Sequence, residues 1–282
     1  MSKKDEGIIN EQKEEEENNY IISEIYIKEK DLNRKIRIIN SYEHYKEEER
    51  YIEEYGVDLT KYYNEETIKD CKIIINDKLI PFNYFHTFNS VGHYKIKYIF
   101  NKNVNETDFM FYNCRDLKRL DLSHFNTNKV TNMKEMFGMC ESLRQINLSN
   151  FNTESVTNMR CMFNYCKSLL NLDLSSFNTK NVTNMGCMFE GCESLLNLNL
   201  SSFNTINVEN MIGMFMGCTS LTYLDLSFLN VQNVGNMRCM FYKCNSLVNL
   251  NLFPFNKDKW VLKTDMFKDC NSLLSLIGNL DD

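Results

Sequence analysis

From Met110 to Cys270 the apolar positions recur on one period. The phrase Met-Phe-x-x-Cys begins at Met110, Met136, Met162, Met188, Met214, Met240 and Met266, seven copies spaced 26 residues apart without an insertion. A strict period of this length predicts a stack in which each turn of chain covers the apolar edge of the one before. Each copy has three phases. Leu169-x-x-Leu172-x-Leu174 ends in inward and outward alternation and predicts a short strand. The equivalents from Leu117/Leu120/Leu122 to Leu247/Leu250/Leu252 predict one parallel sheet. A corner follows, with Phe125, Phe151, Phe177, Phe203, Leu229 and Phe255 in one column and Asn126, Asn152, Asn178, Asn204, Asn230 and Asn256 in the next. A turning backbone leaves N–H and C=O groups unpaired, so this asparagine ladder is expected to be buried and to satisfy them from coil to coil. The return leg carries Val182, Asn184-Met185, Met188-Phe189 and Cys192, whose spacings of three and four predict a short helical turn.

Residues 20–100 have another grammar. Ile21 to Lys28, Arg34 to Ile39 and His93 to Phe100 are β-rich runs, and Cys71 to Phe82 reads as a hairpin turning at Asn76-Asp77. Tyr42 to Tyr55 places Tyr42, Tyr45, Ile52 and Tyr55 on one helical face ended by Gly56. The predicted organisation is a disordered acidic tail over 1–19, a β-rich N-terminal capping domain with one helix over 20–100, and a repeat domain over 101–282. An independent binding module is the other reading of 20–100. At the far end Pro254 and Trp260 depart from the formula, as terminal repeats facing water do; an aromatic docking tip is the alternative there.

The repeated phrase MFxxCxSLxxLDLSxFNTxxVTNM resembles the BspA-like leucine-rich repeats of bacterial and protist surface proteins, including the mycoplasma-type repeat of unknown function. The resemblance covers about Asn101 to Leu280. It departs from the commoner leucine-rich repeat, since the place three residues after the third Leu holds Phe and the Asn follows it. The resemblance implies a leucine-rich-repeat-type right-handed solenoid of seven 26-residue coils, with a parallel β-sheet and short helical turns, used for protein contact or adhesion and carrying no catalytic residues.

Charge and composition narrow the classes. The chain has 282 residues and a formal net charge of −6. Residues 1–100 hold 16 Lys+Arg against 21 Asp+Glu, and residues 101–282 hold 16 against 17. A nearly neutral repeat domain lacks the basic stripe that nucleic acid requires. Glu14 to Glu17 sit in a polar leader without an apolar core, so no signal peptide is read, and no stretch has the length of a membrane span. That favours the cytoplasm, whereas the family resemblance admits the cell surface. Of 11 cysteines, seven lie on the Met-Phe-x-x-Cys column and Cys161, Cys187 and Cys239 on a second. Alternation with apolar positions and the absence of partnering histidines read as buried reduced thiols before zinc or redox chemistry.

No phosphate-binding loop, zinc-protease motif, calcium loop or nucleophile elbow occurs. The expectation is therefore a non-enzyme with no cofactor or metal, a scaffold binding a protein of unknown identity through its sheet face or ends. Its rivals are a surface adhesin exported by a non-standard route, and an enzymatic or regulatory activity in residues 20–100 with the repeats as targeting arm. Specificity should sit where outward columns vary: Arg119, Gln145, Asn171, Asn197, Tyr223 and Asn249 in one row, Asp121, Asp173 and Asp225 in the next, with Arg144 and Thr222 beside them. In the second row Asp alternates with Asn, which keeps carboxylates two spacings apart and lets each amide donate to one. A cation or polar-ligand track is the functional alternative there.

Overall fold

The computed structural model describes residues 19–48, 64–251 and 264–273. The predicted acidic tail, the second half of the Tyr42–Tyr55 helix with Gly56, the last members of the strand and corner columns (Leu252, Phe255, Asn256), and Pro254 and Trp260 lie outside these residues.

Strand β1, Tyr20–Ile27, buries every second side chain (Ile21, Ser23, Ile25, Ile27). Downstream come β2 (Lys35–Arg37), α1 (Tyr42–Glu48), α2 (Glu65–Lys69), β3 (Lys72–Ile75), β4 (Lys78–Ile80), β5 (Phe85–Thr87) and β6 (Gly92–Ile99). The repeats contribute β7 (Leu117–Asp121), β8 (Gln145–Asn147), β9 (Tyr223–Asp225) and β10 (Asn249–Asn251). The β3–β4 hairpin turns at Asn76 and Asp77, both at positive φ (44° and 65°), as a two-residue turn matched to strand twist requires. The short helix α2 and strand β5 carry no sequence signal of their own. Helix α1 opens with the Ser41 hydroxyl accepting the His44 N–H at 3.1 Å. Its Tyr45 stacks on Phe109 with ring centroids 4.3 Å apart.

One sheet joins the two sequence grammars. Its strand order is β4-β3-β6-β1-β7-β8; β1 runs antiparallel to both β6 and β7, while β7 and β8 are parallel. The fold is thus mostly β, with a six-stranded mixed sheet at its N-terminal end. No helix among the described residues is long and apolar enough to cross a membrane.

For the repeats, units are numbered from the Val column: unit 1 covers 104–129, unit 2 130–155, unit 3 156–181, and so on. The expected helical turn in the return leg is absent among the described residues. Met162, Asn164 and Cys166 donate to carbonyls three residues back at 3.1–3.2 Å, whereas Cys161, Phe163 and Tyr165 donate to Gly186, Met188 and Glu190 of the next unit at 2.6–2.9 Å. A helix would consume all its N–H groups internally. This run of turns sends every second one along the stack instead. Two residues per unit hold positive φ to achieve it: Phe109, Glu135, Cys161, Cys187, Gly213, Cys239 and Asp265 in one column, and Asn113, Met139, Tyr165, Gly191, Gly217, Lys243 and Asp269 in the other. In units 1 to 6 every one of these donates its N–H to the following unit. A non-glycine residue in this conformation costs about 1 to 2 kcal/mol, which the unit-to-unit bond offsets.

Inside the stack, Phe111, Phe137, Phe163, Phe189, Phe215, Phe241 and Phe267 form a spine of stacked rings with centroids 5.3–6.2 Å apart. The cysteine column lies against it. Cys140, Cys166, Cys192, Cys218, Cys244 and Cys270 each donate the thiol hydrogen to a Phe carbonyl of the preceding unit at 2.9–3.2 Å. A small apolar side chain with one weak donor fits such a column.

Two further sequence expectations need correction. The corner asparagines are not buried: Asn126, Asn178 and Asn204 are exposed and Asn152 and Asn230 half-buried. Each uses its Oδ1 to accept the N–H two residues on, at 2.9–3.2 Å, which closes a local turn. The coil-to-coil work belongs to the threonine that follows. Buried Thr179, for example, donates to the Asn204 carbonyl at 2.9 Å and accepts the Asn204 N–H at 2.8 Å through one hydroxyl. Thr179→Val, nearly isosteric, should therefore lower stability by about 1 to 3 kcal/mol by orphaning two backbone groups. Asn178→Ala should cost less. Urea denaturation of the two variants gives the order, and an Asn178 effect exceeding that of Thr179 would contradict the assignment.

The parallel sheet is also discontinuous. β8 ends one sheet and β9–β10 form another, while the strand phrases of units 3 and 4 (Leu169–Leu174, Leu195–Leu200) are not strands; their links to neighbouring units are an isolated bridge, Asn197 to Tyr223, and scattered bonds such as Thr222 N–H to the Leu196 carbonyl and the Ser202 hydroxyl to the Leu174 carbonyl. The turn side keeps its full set of bonds through the same units. Stacking is secured there, so the strand side can open locally without separating the units.

Candidate functional site

Two outward faces meet where β1 abuts the repeats. Period-2 alternation puts Glu24 and Tyr26 on the face of β1 opposite its buried isoleucines, and Lys28 follows at the strand's end. The antiparallel β1–β7 register sets Glu24 opposite Arg119 and shifts between Glu24 and Ile25, where a bulge re-aims the strand. Together these faces border a groove of about 930 Å³ lined by Glu24, Ile25, Tyr26, Lys28 and His93 from the N-terminal segment and by Lys118, Arg119, Arg144, Gln145, Ile146, Leu170, Asn171 and Asp173 from units 1 to 3. A neighbouring hollow of about 250 Å³ reaches Asp121 and Lys95.

Of the residues expected from the sequence, Arg119, Arg144, Gln145, Asn171 and Asp173 line the groove and Asp121 the hollow beside it. Asn197, Thr222, Tyr223, Asp225 and Asn249 line neither and are not brought together with the first group; Tyr223, Asp225 and Asn249 belong to the separate β9–β10 sheet. Sequence reasoning missed Glu24, Tyr26, Lys28, His93 and Lys118. The alternation of β1 displayed the first two on one face, but nothing in the chain announces that β1 pairs with β7, 90 residues on.

The electrostatics of the groove are uneven. Arg119 pairs with Glu24 at 3.7 Å, and Asp116 is taken by Arg34 at 2.8 Å. Lys28, Lys118 and Arg144 have no ion pair among the described residues. Burial, reinforced by Arg144 and Lys28, holds the Lys118 ammonium below the usual lysine range. Apolar surface lies alongside: Leu170 is 46% exposed and Tyr26 38%, with the Tyr26 ring 4.6 Å from that of His93.

The Asp/Asn row is first of all a turn-forming row. Asp121, Asn147, Asp173, Asn199 and Asp225 accept the N–H of Ser123, Ser149, Ser175, Ser201 and Ser227 at 2.9–3.1 Å. This explains why the place takes Asp or Asn equally, since either supplies the acceptor oxygen. The expected amide-to-carboxylate bond occurs between Asn147 and Asp121 at 3.0 Å. Hydrogen bonds from the Ser175 and Ser227 N–H and hydroxyl groups hold the Asp173 and Asp225 carboxyls below the usual range.

All four histidines lie against aromatic rings: His44 on Tyr84, His86 on Phe88, His93 on Tyr26 and His124 on Tyr20. The 11 cysteines are free, and burial pushes those of the inner column above their ordinary value, Cys166 to about 12, so their thiols stay protonated. Among the described residues no group of three or more His, Cys, Asp or Glu is placed to hold a metal ion.

Residues 82–197 and again 169–279 match the family described as Mycoplasma protein of unknown function, DUF285. The chain belongs to this family. Its first match begins upstream of the repeats, taking in β5 and β6, and the two matches overlap from the strand phrase of unit 3 into the start of that of unit 4. No curated protein and no solved structure matches the chain.

Proposed function

We propose that this member of the family is a BspA-like, leucine-rich-repeat-type right-handed solenoid of seven coils, capped at its N-terminus by residues 20–100, and that it serves as a non-catalytic scaffold binding a protein partner. The 26-residue register, kept by hydrogen bonds from each unit to the next, supports the solenoid reading. β1 supports the cap, because it occupies the edge of β7 that would otherwise present unpaired backbone groups to water. The observation that carries the binding reading is the groove, built jointly by cap and coils and lined by unpaired cations beside exposed Leu170 and Tyr26. Such a mixture suits a polypeptide better than a small hydrophobic ligand.

Site-specific photocrosslinking tests it. A crosslinking residue at Gln145, in the groove, should give discrete protein adducts in native lysate, and one at exposed Asn207 should not. Equal adducts from both positions, or none from Gln145, would overturn the assignment of the groove as the binding face.

A further inference from the structure

We infer that the groove takes an extended acidic peptide segment, one with carboxylates beside an aliphatic side chain. The inference rests on the scaffold reading above and adds the chemistry of the partner. Three cations, Lys28, Lys118 and Arg144, line the groove without an ion pair among the described residues, while Glu24 is paired with Arg119 and both Asp31 and Asp116 with Arg34; Asp173, ionised and held by the Ser175 N–H at the unit 3 end, leaves the groove still net positive. An occupant bringing two or three negative charges relieves the mutual repulsion of these cations in a site partly screened from water.

The geometry sets the form of the occupant. From β1 through β7 to β8 there are two strand spacings of about 4.8 Å, and unit 3 lies one repeat further on, so an extended peptide of about four residues spans the groove when it crosses them. Leu170 offers it apolar contact at one end, and the Gln145 amide offers a donor and an acceptor to its backbone. A nucleic acid has charge on every residue, and this chain carries a net −6 that repels a uniform polyanion beyond the groove itself. A short acidic segment needs only the local field.

The test uses the full chain and fluorescence anisotropy at physiological salt, with peptides of about eight residues alternating Leu with Glu, with Gln or with Lys, and a single-stranded oligonucleotide of equal length. The Glu peptide should bind at least tenfold more tightly than the Gln and Lys peptides and than the oligonucleotide. The double variant K118E/R144E should weaken it at least tenfold and the milder K118Q/R144Q by an intermediate factor. K180E/R238E, the same change in net charge at exposed sites outside the groove, should leave binding within twofold; thermal melts verify that each variant folds. No binding of the Glu peptide, equal loss in K118E/R144E and K180E/R238E, or tighter binding of the oligonucleotide through Lys118 and Arg144 would overturn the inference. If all three peptides bind alike and compete with one another, the acidic assignment fails and the scaffold reading stands. If no peptide binds and Gln145 crosslinks to nothing, both fail.

Discussion

Phe189→Ala is expected to remove about 3 to 5 kcal/mol of stability, a large share of what a domain of this size possesses. The ring is fully buried and lies between Phe163 at 5.9 Å and Phe215 at 5.7 Å, nearly parallel to both. Truncation leaves a cavity, and the neighbours cannot close it, because the Phe163 N–H is bonded to Met188 and the Phe189 N–H to Met214, each at 2.9 Å. Two offset ring pairs are lost as well, each worth about 0.5 to 1.5 kcal/mol beyond buried area. Phe267, 5% exposed and with one stacked neighbour among the described residues, should cost less as alanine. Asn197→Ala, on the exposed strand side, should stay within about 0.5 kcal/mol. Denaturant titration of the three variants measures the order, and an Asn197 effect as large as that of Phe189 would mean that inner and outer faces have been exchanged.

Asp108→Asn is expected to stabilise the protein at pH 8 and to leave it nearly unchanged at pH 5. The side chain is fully buried at the junction of α2 and unit 1, and neither carboxyl oxygen has a hydrogen-bond partner among the described residues. Burial, then the Glu106 and Glu43 carboxylates, pushes its pKa from the ordinary 3.8 up to about 7. Lys134, one unit on at the same place in the repeat, makes no ion pair with it and points its ammonium over the Phe109 ring at 5.3 Å. Because the folded-state pKa lies above the unfolded one, the folded protein holds the extra proton between about pH 4 and 7. Stability therefore falls as pH rises through that window and stays lower above it. With about 1.36 kcal/mol lost for every pH unit crossed in the window, the penalty is about 4 kcal/mol at most. The variant should recover about half of that, since the new amide also lacks a partner. Urea denaturation at pH 5 and pH 8 measures the difference between variant and parent, and a difference that does not grow with pH would show that Asp108 is ionised or solvated in the folded state.

The two expected gains and losses trace back to features of unequal legibility. Phe189 announced itself: a large aromatic repeated every 26 residues between Met and Cys has no place but an interior. The strands of the N-terminal segment and the Asn76-Asp77 turn were legible for a similar reason, since β-branched alternation and an αL-tolerant pair are local signals. Asp108 was not legible, because it occupies the place that holds Lys134 and Arg160 in the next units, and only packing against α2 makes it a buried acid.

The corner shows how a correct column can be given the wrong work. The Asn178 column runs through all six copies and the Thr179 column through four, giving way to Val231 and Lys257, so repetition favoured the Asn although both can bond to backbone; side-chain direction decides which faces the stack, and that follows from the turn the Asn itself closes. The return leg failed differently. Spacings of three and four fit a helix and fit a run of three-residue turns equally, and only three of the 14 positions needing positive φ carry the glycine that would have signalled it.

What the sequence determined by itself is the period, the apolar inward columns, and the strands and hairpin turn of the N-terminal segment, because each depends on local alternation or on a pattern that recurs every repeat length. The groove was decided only by the tertiary structure. Arg119, Arg144 and Gln145 were visible as outward, variable positions, but Glu24, Tyr26 and Lys28 reach them through a β1–β7 pairing between chain segments of different grammar. Strand pairing is set by the register and edge exposure of both partners at once, and neither partner's residues encode it alone.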